Sequence, residues 1–377
     1  MALIDAVRVP SPTGQRQVLF SPVIDFLGLG GGSLLLLPLF VWIVPDDLNP
    51  RLFGVGLILS AAINHPHFAH SYQIFYRTFR AVAFDAAADM ALRLRYWWAG
   101  VAVPVLLVLF FAAALGWGNA TAFGYAGNAM TFLVGWHYVK QGYGVLMVDA
   151  ALRRSFLEGS DRRILLVNSF ACWIASWLAV NKIIAQRDIW GFSYAAIDLP
   201  IEILWGALGL VAVTTLASIG TLVRFARAYR GAVPWNGIVG YVAALYPWVF
   251  LIREPVLVFL IPSMHALQYL LVVWRYQLNV EAAMPATRRF EWQPPILARP
   301  SLRIARFVLL GMALGWFGFC GLPSILDTYV PYDHAEYGNT MFVFVLFVLI
   351  NVHHYFIDHA MWRKENPHTL PYLFVKQ

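Results

Sequence analysis

Long apolar runs constrain this chain more than any other feature of its 377 residues. A helix needs about 20 such residues to cross the hydrocarbon core of a bilayer, where every backbone N–H and C=O must find its partner inside the protein. On that measure ten spans are expected, at 21–45, 52–76, 97–117, 122–148, 164–182, 200–223, 237–252, 255–278, 304–322 and 340–362. Sixty per cent of the residues are hydrophobic and only 12% are charged, against about 25% charged in a soluble domain. The expected fold class is all-α, a polytopic membrane helix bundle of about ten spans in a single membrane domain over residues 1–377. The seventh span is short, contains Pro247 and meets the eighth at Arg253-Glu254-Pro255, a pattern for a broken or re-entrant helix.

Charge fixes the expected orientation. Loops after even-numbered spans carry Arg77, Arg80, Arg93 and Arg95, then Arg153, Arg154, Arg162 and Arg163, then Arg224, Arg227 and Arg230, then Arg288, Arg289, Arg299 and Arg303. Loops after odd-numbered spans carry Arg51, Lys182, Arg187 and Arg253. This excess places both termini in the cytoplasm, and it accounts for the net charge of +7 without nucleic acid as a partner. Residues 1–20 read as a retained cytoplasmic segment without signal-peptide pattern. Segment 79–95 reads as a helix in the membrane interface, and the proline-containing stretch 280–302 as a cytoplasmic linker. The expected setting is an integral membrane protein of a bacterial inner membrane.

Against this background, Asn351-Val352-His353-His354-Tyr355-Phe356-Ile357-Asp358-His359 puts three imidazoles and a carboxylate in one span. Ionisable groups at membrane depth mark function by default. His65, His67 and His70 lie in the second span, His137 in the fourth, His265 in the eighth, and His353, His354 and His359 in the tenth. All four spans run in the same direction, and each histidine falls between its middle and its inner end, so the eight imidazoles share one layer. Spacing of three or four residues shares a helix face: His67 with His70, His137 with Gln141, His265 with Gln268, and His354 with Asp358. Pro66 is expected to kink its helix and turn both His65 and His67 inward.

Neutral imidazole is a common ligand of iron, zinc and copper, and a ligating imidazole usually donates its other N–H to a carboxylate or amide. The eight histidines are therefore candidate metal ligands. Asn64, Gln141, Gln268 and Asn351 are candidates for orienting them. Asp358 and Tyr355 are candidate catalytic groups. The other reading of each histidine is hydrogen bonding or packing between helices. Lys140, beside His137, reads as a lysine snorkelling to the interface. Cys172 and Cys320 sit in apolar runs and offer no cysteine metal motif.

Eight histidines clustered at the cytoplasmic ends of membrane helices resemble the site of membrane fatty-acid desaturases and hydroxylases, which hold two irons. The spacings here, His65-x-His67-x-x-His70 and His353-His354-x(4)-His359, differ from that family's His-x(3,4)-His and His-x-x-His-His boxes. The spread of histidines over several spans is also similar to bacterial membrane carotene dioxygenases. The resemblance implies non-haem iron, most simply two ions, O₂, a lipophilic substrate arriving from the bilayer and a cytoplasmic electron donor such as a ferredoxin or reductase. The expected activity is hydroxylation, desaturation or oxidative cleavage. The competing readings are a haem-binding electron-transfer protein and a transition-metal transporter.

Overall fold

The computed structural model describes residues 18–42, 49–183, 188–189, 192–250, 257–283, 300–363 and 365–373. The elements in chain order are α1 (Pro22–Phe26), α2 (Gly32–Trp42), α3 (Asn49–Leu59), α4 (His65–Ala83), α5 (Met90–Trp97), α6 (Val103–Gly116), α7 (Ala120–Leu152) and α8 (Gly159–Ile183). A two-residue antiparallel pair follows, β1 (Asp188–Ile189) with β2 (Phe192–Ser193), in which Asp188 faces Ser193 and Ile189 faces Phe192. Then come α9 (Ile201–Ala228), α10 (Trp235–Val249), α11 (Leu257–Ala283), α12 (Pro300–Trp316), α13 (Leu322–Tyr329), α14 (His334–Tyr337), α15 (Met341–Met361) and α16 (Leu370–Leu373).

Among the described residues, five helices are long and apolar enough to cross a membrane: Met90–Gly116, Gly159–Lys182, Ile201–Ala228, Leu302–Tyr329 and Met341–Met361. They divide by burial. Met90–Gly116, Ile201–Ala228 and Leu302–Tyr329 have only 22% of their apolar stretch buried, whereas Gly159–Lys182 and Met341–Met361 have 61%. The first three form an outer ring whose side chains, such as Leu109, Leu216 and Leu309, face outward. The helix Met341–Met361 belongs to the interior, with α4 and α7 packed beside it and α11 reaching it through Tyr269 and Asp358. Those three interior helices carry polar side chains along their buried faces, among them Asn128, His137, Ser263 and Gln268. That placement, polar groups inward and apolar groups outward, suits a bundle whose solvent is lipid.

Continuity through the long helices depends on wide turns. π-helical turns occupy Ser60–Asn64, Trp98–Ala102 and Phe317–Gly321, and a proline follows two residues after each, Pro66, Pro104 and Pro323. Proline lacks the N–H for the helical ladder and its ring crowds the carbonyl four residues back. A widened turn ahead of it lets the helix run on. The turn at Leu27–Gly31 has another cause: Gly30 sits at φ 149°, a conformation that side chains avoid.

The three largest of the apolar clusters among the described residues cement the bundle. Ile74, Phe75, Tyr96, Val273, Tyr276 and Met361 join α4, α5, α11 and α15. Phe111, Phe123, Met130, Phe344 and Val348 join α6, α7 and α15. Leu146, Leu165, Val211, Tyr241 and Leu245 join α7, α8, α9 and α10. Buried amides bridge helices as well: Asn168 Nδ2 donates to Tyr241 Oη at 3.0 Å while its Oδ1 accepts from Thr214 Oγ1 at 2.9 Å.

Residues 79–95 divide between the end of α4, a turn, and the start of α5 rather than forming one interfacial helix. Two carboxylates make the turn: Asp85 accepts from Ala87 N and Asp89 caps α5 by accepting from Leu92 N, both at 2.9 Å. Residues 1–17 and most of the 280–302 stretch lie outside the described residues, as does Arg253-Glu254-Pro255.

The approach of α12 to α4 requires glycine. A Cβ on Gly315 would fall on the backbone of His65, and one on Gly311 on the ring of His70. Gly315→Val should therefore cost about 1–3 kcal/mol through overpacking, read as a lowered melting temperature in detergent. Gly206→Ala, a helical position with open space around it, should be neutral or stabilising. Equal stability of the two variants would contradict this packing.

Candidate metal centre

The π turn at Ser60–Asn64 sets the rotation of α4. The side chain of His67 enters the bundle interior, where it meets His137 from α7, His265 from α11 and His354 from α15, all buried. The Nε2 atoms of His67 and His354 lie 3.1 Å apart. One ligand atom from each of His67, His137 and His354 falls within 4.8 Å of the others, the one group among the described residues with this property. Adjacent corners of a coordination sphere with metal–nitrogen bonds of about 2.1 Å lie roughly 3.0–3.4 Å apart. The His67–His354 pair has that separation.

Asp358 completes the set from the next turn of α15. Its Oδ2 is 3.4 Å from His354 Nε2 and 3.8 Å from His137 Nε2. Its Oδ1 accepts from Tyr269 Oη at 2.8 Å, and Tyr269 Oη in turn accepts from Trp362 Nε1 at 3.3 Å and touches Ser71 Oγ at 2.6 Å. A carboxylate anchored on one oxygen leaves the other to face the imidazoles.

Hydrogen bonding selects one tautomer. His67 Nδ1 lies 2.7 Å from the Asn64 carbonyl oxygen, which can only accept, so this nitrogen carries the proton. Its Nε2 lone pair then faces His137 and His354, the arrangement that ligating histidines adopt. His137 Nε2, His354 Nδ1 and both nitrogens of His265 find no hydrogen-bond partner among the described residues. An unsatisfied buried polar atom costs about 1–3 kcal/mol, and the orphaned His137 Nε2, 3.8 Å from Asp358 Oδ2, fits a cation that draws on its lone pair. His265 is held by a stacked Tyr138, ring centroids 3.7 Å apart, and its ring lies 4.9 Å from that of His137 and 5.6 Å from that of His67. It stands at the edge of the triad.

The four remaining histidines lie apart from this point. His65 is two residues from His67, hence about 200° round the helix, and stacks on Phe319 at 4.4 Å with Ser60 Oγ 3.4 Å from its Nε2. Pro66 therefore does not bring His65 and His67 inward together. His70 stacks on Phe307 at 4.4 Å, and Trp274 Nε1 donates to its Nε2 at 3.4 Å. His353 has both nitrogens engaged, Nδ1 with Tyr72 Oη at 2.8 Å and Nε2 with the Ala99 carbonyl at 2.9 Å. His359 packs beside Trp136 and against the guanidinium of Arg363.

The amides serve helix packing more than the rings. Gln141 Nε2 donates to the His265 carbonyl at 2.9 Å, and Gln268 Nε2 donates to the Gly240 carbonyl at 3.1 Å and to Leu29 O. Asn351 accepts from Tyr355 Oη at 2.9 Å, and the Tyr355 ring stacks on His137 at 4.7 Å. Asn64 acts through its backbone carbonyl. Ser71 and Trp362 were not singled out by the sequence reading, and a common signal identifies them: Ser71 is four residues past His67, and Trp362 four past Asp358. Each thus shares a helix face with a residue of the site.

A cavity of about 400 Å³ reaches this centre, lined at its inner end by His137, Tyr269, Tyr355 and Asp358. Its size is that of a small-molecule site. The chain matches no family model, no curated protein and no solved structure.

The adjacent histidines give the sharpest test. His354→Ala should largely abolish metal retention by the purified protein. His353→Ala should keep the metal and lose about 1–3 kcal/mol of stability through its two hydrogen bonds. Metal loss from a folded His353→Ala protein would contradict the assignment.

Proposed function

We propose that this protein is an integral-membrane oxidoreductase in which His67, His137 and His354 hold a single non-haem iron ion, with Asp358 and His265 beside it, and that it acts with O₂ on a lipophilic substrate. The observation that carries this reading is the convergence of three imidazole nitrogens within 4.8 Å, buried and next to a carboxylate. Iron in such a setting supplies reductive activation of O₂. The placement of the other histidines supports one ion rather than two, since His353 has both nitrogens engaged and His65 and His70 are stacked on α12 and the turn after it.

The side chains divide the work. His67, with its proton on Nδ1, presents Nε2 in a fixed direction. Tyr269, backed by Ser71 and Trp362, holds Asp358 so that Oδ2 faces the centre, where it is placed to ligate or to accept a proton. Tyr138 and Tyr355 wall the site with stacked rings and keep bulk water from the imidazoles. The cavity gives a lipophilic molecule a route to the inner end.

In this reading the chain crosses the membrane about ten times with both termini in the cytoplasm. The arginine asymmetry supports that orientation, and α7 with its 33 residues and α11 with 27 are long enough to cross, at about 1.5 Å per residue. A cytoplasmic donor such as a ferredoxin or reductase would supply electrons. Haem fits poorly, because ring centroids of 4.7–4.9 Å among His67, His137 and His354 leave no slot for a macrocycle. The same donors suit catalytic zinc, and the Asp358 carboxylate 3.4 Å from His354 Nε2 favours a hydrolytic reading as the second choice.

Elemental analysis with an absorption spectrum on one sample of iron-supplemented protein separates these readings. The expected result is about one iron per chain without a Soret band. Zinc in its place would move the assignment to hydrolysis, and two irons would restore a dinuclear centre. Tyr269→Phe, which frees Asp358 from its donor, should lower metal affinity or activity about 10–100-fold, and unchanged values would remove Tyr269 from the site.

A further inference from the structure

The same cavity has a cationic end. Lys140, His359 and Arg363 line it together with His137 and Asp358. Lys140 follows His137 by three residues on α7, about 4.5 Å along the axis, and Arg363 follows Asp358 by five at the end of α15. The positive groups thus lie on one side of the imidazole layer, within about two helical turns of it. Arg95 adds positive charge near His359 and Arg363, and Glu365 provides the one carboxylate whose charge acts on Arg363. Asp358 is the only carboxylate lining the cavity among the described residues, and Tyr269 already engages it. Lys140 is half-buried and lines the cavity. Between the ends the wall is apolar, built from Val145, Val148, Val272 and Leu373 with Trp136 and Trp362.

Two cations facing one apolar-walled space call for an anion that carries a hydrocarbon chain. We propose that this cavity binds a single-chain amphiphile with an anionic head, the head held by Lys140 and Arg363 and the adjoining carbons lying beside His137 and Asp358. Binding of the head stands on the cationic residues alone; that its neighbouring carbons meet a reactive centre rests on the metal reading above. A carboxylate and a phosphate monoester share the required chemistry. The placement aims the centre at the polar end of the molecule rather than the middle of its chain.

Bromine quenching of tryptophan reads this directly, because Trp136 and Trp362 line the cavity. The full chain in phosphatidylcholine nanodiscs is titrated with 9,10-dibromostearate, its methyl ester and the matching lysophosphatidate, and the metal content of the sample is measured. Saturable quenching by an anionic probe, at least about tenfold tighter than by the ester, is expected from one charge-assisted hydrogen bond. Preference between the two anions identifies carboxylate or phosphate. Lys140→Gln and Arg363→Gln should each weaken the anion about tenfold and leave the ester unchanged. If Arg363→Gln fails to fold, Lys140→Gln carries the test. Equal binding of anion and ester, or full anion affinity in folded Lys140→Gln, overturns the proposal. Anion selectivity in protein that takes up no metal would sustain it while removing the metal reading; metal without selectivity would do the reverse.

Discussion

Everything at the centre of this bundle depends on one carboxylate that is buried and yet supplied with partners. An isolated charge in an apolar interior is too costly to keep, and Asp358 sits among polar side chains from several helices. Tyr269 of α11 donates to one oxygen, and His354 of its own helix and His137 of α7 face the other. Those partners tie α7, α11 and α15 at one depth, and His67 of α4 joins through its contact with His354. The four central helices are thus held together where the chemistry would occur. The apolar clusters above and below fix the rest of their lengths.

Lipid offers no hydrophobic drive between helices, so packing and internal hydrogen bonds must decide which faces meet. The glycines on α12 let it close on His65 and His70, which become packing surfaces. Asn168 performs a similar joining role among α8, α9 and α10 with no part in the centre. Polar residues in this membrane protein therefore divide into those that join helices and those that face one shared point. In the second group, His137 Nε2 and both nitrogens of His265 find no hydrogen-bond partner among the described residues.

That division explains what the sequence could reveal. Depth was legible: the parallel direction of four spans put His67, His137, His265, His354 and Asp358 in one layer, and the structure brings these five together. Rotation was not. His353 and His354 are neighbours in the chain but about 100° apart on the helix, and nothing in their order says which one faces inward. The i, i+3 spacing put His70 on the face of His67, yet Phe307 and Trp274 claim its ring, contacts over long separations that spacing cannot report. Gln141 and Gln268 had suitable chemistry and spacing but donate to backbone carbonyls. The helical class was readable from apolar runs, and the described residues bear it out with five helices long and apolar enough to cross a membrane. The interior helices were harder to read because their buried faces are polar.

X-ray absorption at the edge of the bound metal tests the central claim most directly, since imidazole rings give a multiple-scattering pattern that counts them. The geometry predicts one ion with three or four imidazole nitrogens and at least one oxygen, and no second metal in its scattering shell. A metal–metal vector, or an oxygen-only shell without imidazole scattering, would contradict the account built on His67, His137 and His354.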